Sequence, residues 1–394
     1  MINSIKNKWR NYSILETESF YHLLFVTLVL FSIALRFFHL GEIIDDPHSW
    51  RQCDTANYIW DFYKNGVDFL HPAVCWMGGY KTLILEFPLT EALIAWLYQI
   101  FEPSMLIARL FFLFFYTVGV FYFYKNCTFF LQKKTALFST VIYTFLPLSY
   151  YYSRALHIDF FALSFSMGMN YYYLVGIKEQ KVKKIVIGSL FATIAFLVKV
   201  PYAISFCFPL IYFITKEKKW PFCLKRTILF VYPALLFAWW TFKSNAINSL
   251  APDWHFIQGY RKFDDNFRWY FGTLEHRLVS KNWSTLFDRL VYDLSAGYIG
   301  TGFFLIGVCV SIFRKKYSLL WYWFLGVFVY LLIFFFLNVI HNYYQIPFVP
   351  LFAIFMAIGI EFLADFLESK NSILIQLFFL VTLCISAVSF SEKT

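Results

Sequence analysis

Two acidic stretches hold the residue types that could do chemistry. In "HSWRQCDTANYIWDFYKNG" (48–66), His48, Arg51, Asp54 and Asp61 fall directly after a long apolar run. In "SRALHIDFF" (153–161), Asp159 sits between two further apolar runs, with Arg154 five residues before it. A positioned carboxylate can take a proton, and a nearby cation can hold an anion. The plainer reading is a wet loop, with each acid capping a helix and Arg154 snorkelling to the interface. Tyr58, Ile59, Phe62 and Tyr63 recur at helical spacing after Asp54, which places that carboxylate in a first helical turn. Two acids so far apart in sequence could converge on one cavity, but spacing does not show it.

The elements that must position them are written in the hydropathy. The chain is 60% hydrophobic and 15% charged, with a mean hydropathy of +0.58, well outside ordinary soluble domains. A hydrocarbon core takes about 20 apolar residues per helix. Runs of that kind fall at about 21–40, 104–124, 135–152, 160–177, 185–200, 202–215, 227–243, 293–313, 318–337, 345–364 and 372–390. The expectation is an all-α integral membrane protein of about eleven transmembrane helices, one polytopic domain over 1–394 with no large soluble C-terminal domain. Continuous apolar runs exclude the short alternating strands of a membrane β-barrel.

The net charge of +10 does not point to nucleic acid, because the lysines and arginines cluster between apolar runs. Lys6, Lys8 and Arg10 precede the first run, and further clusters fall at 125–134, 178–184, 216–226 and 314–316. All land on one side if the N-terminus is cytoplasmic, as the positive-inside rule requires. The opposite, outer side then carries the long connections 41–103 and 244–292 and most of the histidines and carboxylates. Within 41–103, "PLTEALIAWLYQIF" (88–101) is apolar but too short to span, and reads as a juxtamembrane helix. The stretch 253–270 mixes aromatics with Arg261, Lys262 and Arg268, either an amphipathic surface segment or an acceptor-binding lid. "DDPH" (45–48) and His71 match no standard metal spacing, and the seven cysteines form no CxxC, so neither metal nor other cofactor is expected.

Several motifs carry a resemblance. "LRFFHLG" (35–41), Asp54 with Tyr58, "EFPLTEALIAWLY" (86–98), "SRALHIDFFALSF" (153–165), "FLVKVPY" (196–202) and "HNYYQIPFVPL" (341–351) occur in that order. Together they resemble the GT-C glycosyltransferases that use polyprenyl-phosphate sugars. The nearest branch is that of the protein O-mannosyltransferases and the lipid A aminoarabinose transferases. The resemblance implies a GT-C fold with juxtamembrane helices in the first outer loop. It implies Asp54 and Asp159 as catalytic acids, and Lys199, Arg51, His341 and Tyr344 as groups near the donor phosphate. His48, Tyr58, Glu86, Arg154 and Arg268 become candidate substrate contacts. One departure stands out: Thr55 follows Asp54 where that family usually has Asp-Glu.

The implied reaction transfers a sugar from a polyprenyl-phosphate carrier to a lipid- or glycan-linked hydroxyl, by an inverting displacement, at the outer face of a bacterial inner membrane. It needs a base for the acceptor and positive charge for the departing phosphate. An O-antigen polymerase or ligase would instead place its key basic residues in a late outer loop. A transporter or flippase would break its helices and hold ionisable residues in mid-membrane, whereas here they cluster at the ends of the runs, Arg109 in part excepted.

Overall fold

The computed structural model describes residues 2–38, 40–44, 49–76, 81–251, 267–366 and 372–393. His48, "DDPH" and most of 253–270 lie outside them. Each apolar run contains a helix, since backbone polar groups in hydrocarbon must be satisfied within their own segment. The order begins α1 (Ile2–Leu35), α2 (Ser49–Asn65), α3 (Leu89–Ile100), α4 (Met105–Cys127), α5 (Lys133–Phe145), α6 (Pro147–Tyr152), α7 (Ile158–Glu179) and α8 (Val182–Ile204). It continues with α9 (Cys207–Lys216), α10 (Trp220–Leu224), α11 (Thr227–Asn248), α12 (Phe267–Phe271), α13 (Leu274–Leu278) and α14 (Ser280–Arg289). The chain closes with α15 (Tyr298–Ile312), α16 (Ser318–Ile333), α17 (Phe335–Ile340), α18 (Val349–Phe366) and α19 (Ser372–Lys393). Among the described residues the only β-pairing is one antiparallel bridge, Ala73 to Thr82.

Apolar length and helix length part company in several places. Four helices are long and apolar enough to cross a membrane, and a fifth crossing is available if the pair Ser280–Leu294 and Tyr298–Ile312, bent by 97°, counts as one. The run 135–152 breaks at Pro147, which opens α6 because its ring cannot continue the preceding helix. The segment 202–215 is not a full span: α9 has 10 residues, a rise of roughly 15 Å. Before Tyr298 the chain turns through Gly297 at φ 102°, a conformation that favours glycine. Inside α8 the backbone leaves the helix at Lys199 (φ −160°, ψ 77°), two residues before Pro201. A broken helix at a buried lysine was not expected from the sequence.

α7 and α8 form a tight hairpin, in which a Cβ on Gly168 would meet the Phe191 ring at 2.3 Å and one on Gly176 the Ile185 side chain at 2.6 Å. Such close approach is how helices associate where lipid replaces water. α4 packs on α7, α11 on α8, and α18 on both α5 and α15. Members of three basic clusters, 125–134, 178–184 and 314–316, come near one another at one end of this bundle. Lys134 and Lys316 are both in electrostatic reach of Glu361, and Lys178 lies over the Phe129 ring at 5.8 Å. Arg109 is one turn inside α4 and donates to the carbonyls of Leu40 and Glu42 at 3.2 and 2.8 Å, so it caps the chain leaving α1.

At that opposite end Arg36, fully buried, ties α1 to its neighbours. It donates to Ser153 Oγ (2.6 Å), Tyr116 Oη (3.1 Å) and the Thr144 carbonyl (2.6 Å). Every partner is neutral, which makes this arginine a structural lock.

Candidate active site

α2 is the helix that carries the first acid, and two adjacent stripes of it are buried. Gln52, Thr55, Ile59 and Phe62 form one; Asp54 and Tyr58, with the half-buried Arg51 beside them, form the other, roughly a quarter turn away. On the first stripe Ile59 packs into the main helical core and Phe62 against Ala92 and Ala95 of α3. On the second, Tyr58 packs with Val74, Leu83 and Ala251 and donates from its hydroxyl to the Leu83 carbonyl. α2 thus lies between the bundle and the segments 73–76 and 81–86. The second of these is pinned by Asn248 at the end of α11, whose amide both donates to and accepts from the Ile84 backbone at 2.8 Å.

Asp54 lies more than a turn into α2, which begins at Ser49, so the expected first-turn position is corrected. It is 4% exposed, and Trp76 Nε1 donates to its Oδ1 at 2.8 Å. No donor reaches Oδ2 among the described residues. Burial raises the Asp54 pKa, against the pull of Arg51 and the Trp76 hydrogen bond. A carboxylate raised in this way is a stronger base than an exposed one. Arg51 pairs with neither Asp54 nor Asp61 but with Glu86, at 2.5 Å. Behind them, Glu91 on α3 is buried and accepts from Thr90 Oγ1 at 2.7 Å; burial pushes its pKa up to about 7.

Asp159 sits in the first turn of α7 and is completely sealed. Lys199 Nζ donates to its Oδ1 at 2.7 Å, Tyr202 donates to the same oxygen, and His157 Nδ1 lies 2.5 Å from Oδ2. Lys199, at the break in α8, and Tyr202, three residues on, reach the same carboxylate oxygen. Aromatic rings close the far side. The Lys199 ammonium is 4.4 Å from the Tyr344 ring centre and 5.3 Å from that of Tyr343. His341 stacks on Tyr343 at 4.9 Å and lies 6.2 Å from Tyr344, while Trp269 of α12 reaches it at 6.1 Å.

The two acids belong to adjoining groups. Gln52 Oε1 accepts from the Leu156 amide at 3.0 Å, joining α2 to the turn before Asp159. Arg51 is in electrostatic reach of Tyr343 and His157, and Glu86 of Tyr344. Of the residues singled out in the sequence, Asp54, Tyr58, Arg51, Glu86, Asp159, Lys199, His341 and Tyr344 therefore gather in one region. Arg154 turns instead toward the end of α1, donating to the Phe38 carbonyl at 2.7 Å. Arg268 is exposed on α12. Trp76, His157, Tyr202, Gln52 and Glu91 were not anticipated. Of these, Tyr202 alone left a signal, three residues after Lys199 on the same helix.

Residues 86–245, less than half of the chain, match the dolichyl-phosphate-mannose-protein mannosyltransferase family. The whole described bundle is similar to ArnT from Cupriavidus metallidurans bound to undecaprenyl phosphate. That similarity has a TM-score of 0.61 at 13% identity and covers 95% of this chain and 75% of ArnT. The fold is that of the GT-C glycosyltransferases. The same GT-C architecture relates it to the Archaeoglobus fulgidus oligosaccharyltransferase in complex with Zn and sulfate (TM-score 0.57, 13% identity, 94% of this chain and 53% of that one). It is likewise similar to the archaeal oligosaccharyltransferase AglB from Archaeoglobus fulgidus, in complex with an inhibitory peptide and a dolichol-phosphate (TM-score 0.51, 12% identity). The chain spans just over half the length of AglB. No curated protein matches it in sequence. Apolar helices and membrane-embedded GT-C neighbours make this an integral membrane protein.

Proposed function

We propose that this GT-C protein transfers a sugar from a polyprenyl-phosphate carrier to a hydroxyl on a lipid- or glycan-linked acceptor, with inversion, at the extracytoplasmic face. The observation that carries the reading is Asp54: a buried carboxylate of raised pKa, oriented through one oxygen by Trp76 while the other meets no donor among the described residues. It serves as the base for the acceptor hydroxyl. Attack from the side opposite the phosphate inverts the anomeric carbon through an oxocarbenium-like state, as in glycoside hydrolysis.

Asp159 has a different role. Its Oδ1 is committed to Lys199 and Tyr202 and its Oδ2 lies 2.5 Å from His157 Nδ1, so it holds Lys199 rather than taking a proton. A lysine ammonium has three donors. One binds Asp159, and the remaining two are available to the departing phosphate beneath Tyr344. His341 and Arg51 add positive or hydrogen-bonding character along the same wall, and Glu86 orients Arg51. Solved neighbours with undecaprenyl phosphate and dolichol-phosphate support a lipid-linked donor. The break at Lys199 is also what a transporter would show; the GT-C fold and the oriented Asp54 favour transfer.

The test is turnover by purified protein. A polyprenyl monophosphate sugar should be consumed, with chelator present, and a nucleotide sugar should not. Activity with the nucleotide sugar alone would overturn the donor assignment. For sidedness, cysteines placed at Asn65 and Lys183 should label from opposite sides of sealed vesicles. Labelling from the same side would remove the outer-face site.

A further inference from the structure

We infer that Gln52 is a positioning residue that fixes the distance between the two acidic centres by holding the turn before α7. This rests on the enzyme reading above. Gln52 is fully buried on the face of α2 that meets the bundle, and Arg51 and Asp54 occupy the neighbouring face of the same helix. Its Oε1 accepts from the Leu156 amide across 104 residues of sequence. Because a backbone N–H can only donate, that contact sets which way the side-chain amide is turned.

The turn it grips is a non-helical part of the site. Between α6, ending at Tyr152, and α7, starting at Ile158, five residues connect the arginine lock to the second acid. Arg36 holds one end of the turn through Ser153 at 2.6 Å. Gln52 holds the other through Leu156, one residue before His157 and three before Asp159. Since Gln52 is also next to Arg51 and two residues before Asp54, any shift of the turn against α2 changes the separation of base and phosphate-holding lysine. That separation matters most when the acceptor attacks and the phosphate leaves. Loss of the strut should therefore fall on kcat more than on donor binding.

The experiment combines hydrogen exchange with kinetics on the full chain in detergent or nanodiscs. Gln52→Met keeps the length of the side chain and removes the acceptor; Gln52→Glu keeps an acceptor oxygen. In Gln52→Met the backbone amides of 153–159 should exchange at least about tenfold faster while those of 58–65 stay as in the wild type. Its kcat should drop about 10- to 100-fold with the donor KM within about threefold. Gln52→Glu should return the exchange of 153–159 to within about threefold of wild type. If Gln52→Met does not fold, Gln52→Asn, too short to reach Leu156, takes its place with the same expected result. Unchanged exchange at 153–159 in a folded variant lacking the contact would overturn the inference, as would loss of donor KM with kcat intact. If the wild type transfers no sugar, the enzyme reading fails, and the exchange data alone decide whether Gln52 holds the turn.

Discussion

Asp54 and Asp159 are both buried carboxylates at one end of the same bundle, and their surroundings are opposite. Among the described residues, Asp54 has one neutral donor, Trp76, and a second oxygen that no donor reaches. Asp159 has a lysine, a tyrosine and a histidine around it and no exposure. The first arrangement leaves a group able to gain and lose a proton. The second spends the carboxylate on holding other side chains still. Two acids in a membrane site thus need not share the chemistry, and the number and charge of donors around each one tells which is which.

The largest expected effect comes from Asp54→Asn, which keeps size and hydrogen bonding but cannot accept the acceptor proton. Turnover should fall roughly 10²–10⁴-fold with donor affinity retained in a binding assay. A wild-type rate for Asp54→Asn would break the comparison. Asp159→Asn should show itself first as instability, because it leaves the Lys199 charge buried and unpaired. Breaking one side of such a pair typically costs about 3–5 kcal/mol, visible as a lower unfolding midpoint that Asp54→Asn does not share. A dead but fully stable Asp159→Asn would exchange the two roles. Lys199→Ala should weaken donor binding roughly 10- to 100-fold, the scale of one charge-assisted hydrogen bond, with the pH dependence of turnover unchanged.

The smallest effect concerns pH. The pKa of Asp54 is raised, so the acid limb of the rate profile should lie above the ordinary carboxylate range, with activity lost as pH falls through it. Glu91, raised to about 7, contributes stability that is present below the ordinary glutamate value and lost as pH rises toward 7. Glu91→Gln should flatten that decline, a change of at most ~3 kcal/mol, measured by thermal unfolding at pH 5 and pH 8.

Hydropathy located the helices because hydrocarbon leaves the backbone no alternative to them. It was uneven about where they break: the run 135–152 reads straight through Pro147, where the structure starts a new helix, whereas the boundary between 185–200 and 202–215 falls at Pro201, two residues after the break at Lys199. The site was legible as residue types, since charged groups beside long apolar runs are few. Their partners were not. Arg51 sits next to Asp54 in sequence yet pairs with Glu86, 35 residues away. Trp76 carries no local signal in a chain that is 24% aromatic. The GT-C resemblance named Asp159 and Lys199 separately, and only the folded hairpin shows that they form one unit.

That hairpin has a consequence for how the protein is made. Asp159 and Lys199 stand on consecutive helices joined by just Gln180 and Lys181. Entering the bilayer separately, each helix would carry an uncompensated charge, a burden of about 2.5–3.5 kcal/mol at mid-membrane and less near a helix end. Entering together, the two charges neutralise each other. Insertion of α7 and α8 as a pair is therefore favoured over insertion of either helix alone.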